Sequence, residues 1–344
     1  MLQQRLAAHW YAEHPRASVL QPLSWLYGGL QSLRARAYAA GWLRSERAER
    51  PVVIVGNLTV GGTGKTPLTL WLAGELQARG VKVGLLSRGY KRRGDGARVV
   101  LPEADWREVG DEPLLLARRS GAATVVARDR LTGARLLAAA GVELILCDDG
   151  LQHLRLARDC EIVVIDGARG FGNGRLLPAG PLREPPERLA GADLVVVNGA
   201  PAHASLAGIG AGPPLLRMDL IAGEAQRLNA PESRPLAAFR GQRVHAVAGI
   251  GNPQRFFREL RAQGMELTEH AFPDHYPLTA RDLAFPDERA VLMTEKDAVK
   301  CSAFADARLW SVPVVARFSD ADAQRLLARV LATTQGRRAA GSHN

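Results

Sequence analysis

Apolar positions along this chain follow two rhythms. Short, continuous Val/Ile/Leu runs occur at Val52–Val55, Val81–Ser87, Ala123–Val126, Leu144–Cys147, Ile162–Ile165 and Leu194–Val197. Between them lie stretches with helical spacing at Pro67–Arg79, Glu112–Arg119, Arg128–Ala140 and Arg183–Leu189. Continuous apolar runs alternating with helices predict an α/β fold with a mostly parallel sheet covered on both faces. This unit is expected over residues 49–212, and 213–240 read as a linker containing a short strand at Leu215–Ile221. A second, smaller α/β pattern fills 241–334, with Val244–Ala248, Gln254–Gln263, Val291–Thr294 and Val314–Phe318 as its elements. Residues 335–344 have the composition of a disordered tail.

The start of the chain, residues 1–48, has a different texture. Leu23, Leu26, Tyr27, Leu30, Leu33 and Ala37 fall on one face of a helix spanning Pro22 to Leu43. Trp25, Tyr38 and Trp42 add aromatics of the kind found at membrane interfaces, and positions 1–50 hold seven Arg against three Glu. Such a helix can lie in a membrane surface or pack its apolar face on its own domain. The pattern suits both.

Composition narrows the partners. The net charge of +10 points to something anionic: a nucleic acid, an acidic substrate or a membrane surface. Hydrophobic residues make up 47% of the chain, which excludes disorder. Only five of the 45 basic residues are lysines, so each lysine is more informative than each arginine. The three cysteines lack disulfide or metal spacing, as expected in a reducing cytoplasm, and neither a signal peptide nor an 18-residue apolar span is visible.

The chemistry starts at the first strand. Val52–Val55 runs into Gly56-Asn57-Leu58-Thr59-Val60-Gly61-Gly62-Thr63-Gly64-Lys65-Thr66, followed by a helical segment. Strand, glycine-rich turn and helix in that order form a phosphate-binding loop of P-loop NTPase type, in which backbone amides wrap phosphate oxygens. Residues Thr59, Val60, Gly61, Gly62, Thr63, Gly64, Lys65 and Thr66 are the candidate nucleotide site, with Lys65 on the outer phosphates and the Thr66 hydroxyl on Mg²⁺. The usual spacing places glycine where this chain has Thr59.

Other candidates each have a plain structural reading beside the functional one. Asp148 and Asp149 end an apolar strand, where a P-loop enzyme keeps its Mg²⁺ acid, and they equally begin a turn at Asp149-Gly150. His153 could approach the terminal phosphate or be a structural hydrogen-bonding histidine. Asp111 suits a helix N-cap better than a base when taken alone, and His275 sits in a Pro-bracketed loop where solvent exposure is the simpler reading. Arg88, Lys91 and Arg92 form a charged loop after a strand, either solvated or able to hold an anionic group. Arg183 is a further candidate contact to substrate.

Together these segments resemble the tetraacyldisaccharide 4'-kinase (lipid A 4'-kinase) family. The resemblance runs in order through the Gly56–Pro67 loop, Leu86-Ser87-Arg88-Gly89-Tyr90, Gly110-Asp111-Glu112-Pro113 and Asp148-Asp149-Gly150-Leu151-Gln152-His153. It continues through Pro178–Glu184, Phe272-Pro273-Asp274-His275-Tyr276 and Thr294-Glu295-Lys296-Asp297-Ala298. It implies transfer of the γ-phosphate of ATP, with Mg²⁺, to the 4'-hydroxyl of a tetraacyldisaccharide 1-phosphate, giving lipid IVA on the cytoplasmic face of the inner membrane. It also implies that Thr59 is the family's own variant, that Asp111 and His275 form a dyad that removes the hydroxyl proton, and that Asp149 and Lys65 take part in catalysis. The partners implied are this lipid and, through the N-terminal helix, the membrane surface, with no nucleic acid. Because Asp111 and His275 are 164 positions apart, closure of two domains is expected to bring them together.

Two other classes use similar loops. A GTPase switch or metallochaperone needs an Asn/Thr-Lys-x-Asp element, and Thr294-Glu295-Lys296-Asp297 has the wrong spacing. A nucleic-acid ATPase needs stacking aromatics beside its basic residues, and aromatics are only 6% here. The chain is therefore expected to bind ATP in preference to GTP by at least about tenfold, roughly the 1.4 kcal/mol of one specific base contact; equal affinities in a titration of the two nucleotides would contradict this.

Overall fold

Strand β1 (Val52–Gly56) is buried along its whole length, with Val52 and Ile54 on one face of a sheet and Val53 and Val55 on the other. This two-sided burial is why the run is continuously apolar. The structure is a computed structural model and describes residues 10–11, 17–207, 209, 212–304 and 306–341, without the side chains of 17–18 and 336–341. Part of the expected 1–48 segment lies outside the described residues.

After α1 (Gln21–Ala39) and β1, the chain continues through α2 (Lys65–Gln77), β2 (Val83–Ser87), β3 (Arg98–Val99), α3 (Trp106–Val109), α4 (Asp111–Ser120), β4 (Ala123–Val126) and α5 (Arg130–Ala139). Then come β5 (Leu144–Asp148), β6 (Cys160–Asp166), β7 (Leu194–Asn198) and β8 (Leu215–Ala222). These strands build a nine-stranded sheet in the order β15-β8-β7-β6-β1-β5-β2-β4-β3. Its last member, β15 (Val314–Phe318), comes from near the end of the chain. From β8 to β4 the strands are parallel; β15 and β3 close the two edges antiparallel. Leu131, Ala134 and Leu137 of α5 pack on one face, and Leu68, Leu72 and Leu76 of α2 on the other.

The second sheet has the order β10-β9-β14-β13-β11-β12. Its strands are β9 (Ala225–Arg227), β10 (Ser233–Arg234), β11 (Arg243–Ala248), β12 (Glu266–Ala271), β13 (Val291–Thr294) and β14 (Leu309–Val312), with α6 (Pro253–Ala262) and α7 (Glu295–Cys301) beside them. Phe256, Phe257 and Leu260 of α6 fill its core with Trp310.

Several expected boundaries are corrected. The linker 213–240 holds β8 of the first sheet and β9 and β10 of the second. Val314–Phe318 belongs to the first sheet, because it pairs antiparallel with β8 at Val314↔Ala222 to Phe318↔Met218. The last helix, α8 (Asp320–Gly341), returns with it and buries Leu326, Leu327 and Val330 in the core under α2. It runs on into the expected tail, whose Arg and Ala residues are good helix formers. Arg183–Leu189 is not a helix. Its only helical part is a 3₁₀ turn, Pro186–Gly191, since Pro186 bars α geometry at Pro185.

One enclosed ion pair stabilises the second sheet. Lys300 Nζ and Asp297 Oδ1 are 2.7 Å apart with both side chains 0% exposed. Asp297 also accepts the Gly249 amide at 2.7 Å and the Thr294 hydroxyl at 2.6 Å. Replacing Lys300 by Ala leaves that carboxylate unpaired and is expected to cost about 3–5 kcal/mol in chemical denaturation; a loss below about 1 kcal/mol would show that the amide and hydroxyl alone suffice.

Candidate active site

The nucleotide loop is held without its usual first glycine. Thr59 is buried and extended, and it forms an antiparallel bridge with Leu182, while the Val60 amide donates to the Pro181 carbonyl at 2.8 Å. No left-handed residue is needed at 59, so threonine fits there. The tight part of the turn comes later. Gly61 and Gly64 have φ of 113° and 103°, and a Cβ on Gly64 would lie 3.0 Å from Met218 and 3.1 Å from the Asn198 side chain. Asn57, which sequence reasoning did not single out, holds the loop from within. Its amide donates to the Thr59 carbonyl at 2.6 Å, and its oxygen accepts from Lys65 Nζ at 3.1 Å.

Beta strands β1 and β5 are neighbours, so the acids that end β5 lie beside the loop. The Thr66 hydroxyl donates to Asp148 Oδ2 at 3.1 Å, whereas Asp148 Oδ1 is buried with no hydrogen-bond partner. Burial pushes the Asp148 carboxyl up to about 7, helped by the Glu112 and Asp149 carboxylates and opposed by Lys65. Asp149 follows in a left-handed conformation, φ 54°, and lines the cavity, with Arg183 at 3.0 Å and Lys65 at 3.6 Å. Burial works against its charge, but these two cations outweigh it and hold the carboxyl well below the ordinary range.

Asp111 and His275 meet across the two sheets. Asp111 opens α4, and Asp111 Oδ2 is 2.9 Å from His275 Nδ1. The two residues, 164 positions apart in the chain, are in contact in this structure. His275 sits at φ 60°, fixed by its amide on the Gly249 carbonyl at 3.3 Å, and its ring leans on Tyr90 with centroids 5.2 Å apart. Burial raises the Asp111 carboxyl, yet the bond to His275 and the nearby Lys296 overcome this and hold it at about 2. Lys296 Nζ is 2.9 Å from Glu112, 3.3 Å from Asp274 and 3.3 Å from His275 Nε2. Burial opposes its charge, and the carboxylates of Glu112, Asp111 and Asp274 more than restore it, raising it above an ordinary lysine. Two features of the sequence point to this residue: its rarity as a lysine and its place in the Thr294–Ala298 segment that carries the resemblance. Lys296 and Asp297 are thus committed to internal partners.

A cavity of about 670 Å³ joins these parts. Val60 to Thr66 form one wall, His275 and Lys296 another, and Asp111 is buried behind His275. Arg88, Lys91 and Arg183 line it as expected, although Arg183 is engaged with Asp149. Thr59 and Asp148 are buried just behind the cavity lining, and two expected substrate contacts, Arg92 and His153, are not in it either. Arg92 turns back on its own loop to the Gly96 carbonyl. His153 lies by Asp129 at 3.8 Å, and burial together with Arg130 pushes it down to about 4. Tyr27 and Gln31 of α1 line the cavity as well, which brings the N-terminal helix to its mouth.

Comparison with known proteins agrees with this arrangement. A family profile described as "Tetraacyldisaccharide-1-P 4'-kinase" matches residues 16–332. The tetraacyldisaccharide 4'-kinase of Alkalilimnicola ehrlichii is 49% identical over 93% of this chain and 95% of its own length. The Pseudomonas aeruginosa protein of the same name is 48% identical over 95% and 99%. Among solved structures, LpxK from Aquifex aeolicus in complex with ATP superposes with a TM-score of 0.78 at 30% identity, covering 92% of this chain and 99% of that one. With the two-sheet fold, the loop and the cavity in place, the chain belongs to the tetraacyldisaccharide-1-P 4'-kinase family.

Proposed function

We propose that the cavity holds the phosphates of ATP on the Thr59–Thr66 loop and presents the sugar hydroxyl of a lipid disaccharide phosphate to the Asp111–His275 pair. Family membership makes the chain a kinase acting on an alcohol group in lipid A biosynthesis. One observation carries the assignment of roles: a 2.9 Å acid–base pair reaches from the second sheet to the first at the cavity that the nucleotide loop lines.

Phosphoryl transfer is mostly positioning and charge neutralisation. The loop amides and the N-terminus of α2 receive phosphate oxygens, and Lys65, steadied by Asn57 and Asp149, reaches the outer ones. The dyad takes the hydroxyl proton as one acid–base unit while the new P–O bond forms. Asp148 and the Thr66 hydroxyl fit a hard divalent cation: the free oxygen Asp148 Oδ1 is buried and unsatisfied, and Mg²⁺ needs only one or two protein oxygens beside phosphate. When bound there, Mg²⁺ supplies charge neutralisation across the phosphates. Among the described residues no group of three or more His, Cys, Asp or Glu could hold a metal, which suits an ion shared with the nucleotide. Of the two adjacent acids we assign the metal to Asp148, and to Asp149 the clamp between Lys65 and Arg183.

The seat on the membrane is α1. This helix packs inside out: Ser24, Tyr27, Gln31 and Arg34 face the protein through hydrogen bonds to Leu176, Arg183 and Gln152 and between themselves. Leu23, Leu26, Leu30 and Leu33 remain 55–62% exposed. An apolar stripe turned to solvent beside the cavity is the signature of a helix lying in a lipid surface. No described helix is long and apolar enough to cross a membrane, so the seat is peripheral. We assign it to the cytoplasmic face of the inner membrane, where ATP is available.

Asp111→Ala and His275→Ala are each expected to lower kcat by about 10²–10⁴-fold with little change in the KM for ATP; near-wild-type turnover in either would remove the dyad assignment. A Leu23→Glu/Leu26→Glu/Leu30→Glu variant is expected to stay in the supernatant when sedimented with phosphatidylethanolamine/phosphatidylglycerol vesicles that carry down the parent protein. Equal sedimentation of the two would exclude α1 as the seat.

A further inference from the structure

We propose that Lys296 is a positioning residue for the dyad, holding His275 in its Nδ1–H tautomer with an unprotonated Nε2. The inference rests on the reading of Asp111 and His275 as the acid–base pair. Lys296 Nζ lies 3.3 Å from His275 Nε2, and an ammonium has only hydrogens to give. Nε2 must therefore accept, and the one ring proton is left on Nδ1, facing Asp111 at 2.9 Å. A neutral ring bonded to a carboxylate holds one proton fewer than an imidazolium–carboxylate pair. That is the state able to receive the hydroxyl proton as the oxygen–phosphorus bond forms and the bond to the leaving diphosphate breaks.

Lys296 is itself fixed from both halves of the molecule. Glu112 on α4 holds it from the first sheet at 2.9 Å, and Asp274, next to His275, holds it from the second at 3.3 Å. Around the dyad the charged neighbours are Glu112 on α4, Asp274 in the histidine loop, and Lys296 and Lys300 on α7; Tyr90 contributes a ring and no charge. Without Lys296, Nε2 loses the one cationic donor it has among the described residues and faces the Asp274 carboxylate 3.9 Å away, which favours a proton on Nε2.

The test reads the tautomer directly, with no need for turnover. In the full chain labelled with ¹⁵N-histidine, the His275 signals, assigned by their loss in His275→Gln, are expected at neutral pH to show a protonated Nδ1 and a bare Nε2. A proton on Nε2 in the wild-type protein overturns the proposal. In Lys296→Met the pattern is expected to move to Nε2–H or to the doubly protonated ring. The kcat is expected to fall about 10–100-fold with the KM for ATP within about twofold, and the acidic limb of the rate profile to move up by about one pH unit. Lys296→Arg, which still donates, is expected to recover most of the tautomer and rate. A Lys296→Met variant with wild-type tautomer, rate and pH profile also overturns it; should that variant not fold, the wild-type spectrum alone decides. Full activity in Asp111→Ala would instead defeat the dyad reading and leave the tautomer result intact.

Discussion

The Asp297 carboxylate is enclosed on every side, and it receives the Gly249 amide, the Thr294 hydroxyl and the Lys300 ammonium together. A charge taken fully out of water is tolerated only when its oxygens are this well satisfied. Because its partners sit on two stretches, Gly249 just after β11 and the segment Thr294–Lys300 where β13 runs straight into α7, it fixes both in one arrangement. The end of β11 in turn carries the cavity wall. Gly251 reaches to within 3.5 Å of the Gly62 amide as measured from an added Cβ, and the Gly249 carbonyl holds the His275 amide. The dyad and the nucleotide loop thus share one reference point, far from either in sequence.

Much of the first sheet could be read from the chain because its strands are buried on both faces and so are continuously apolar. The second sheet was harder. Beta strand β12, Glu-Leu-Thr-Glu-His-Ala, is an edge strand with a half-exposed polar face, and nothing in its composition marks it. The return of β15 to the first sheet depends on pairing with β8, a contact between segments about 95 positions apart that no local pattern encodes. The same division holds at the site. Lys65, Thr66 and the acids at the end of β5 follow from strand–turn–helix logic, whereas Asn57 acts through side-chain contacts inside the loop, and Glu112 and Lys296 through contacts set by the packing of α4 against α7.

Helix α1 shows how a correct periodicity can leave the sense of a face undecided. Its apolar stripe was visible, but burial and exposure produce the same spacing. The decision comes from the opposite face, where Ser24 donates to the Leu176 carbonyl and an added Cβ on Gly28 would lie 2.7 Å from Leu176. A small and polar face can dock closely on backbone carbonyls, and once it does the leucines have nowhere to go but outward.

The second sheet is spliced into the first at two adjacent crossings. The chain leaves after Ala222 and comes back at Val314, and these two residues are paired, with the Gly223 amide on the Pro313 carbonyl at 2.8 Å. Beside this seam α7 packs on α4, with Val299 in one apolar cluster with Leu114 and Leu115 and Arg119 paired with Glu295, so the two sheets are joined over a surface and not only at the crossing. His275 and Asp111 therefore face each other from two sheets that share an interior, and the geometry of the pair is inherited from that packing.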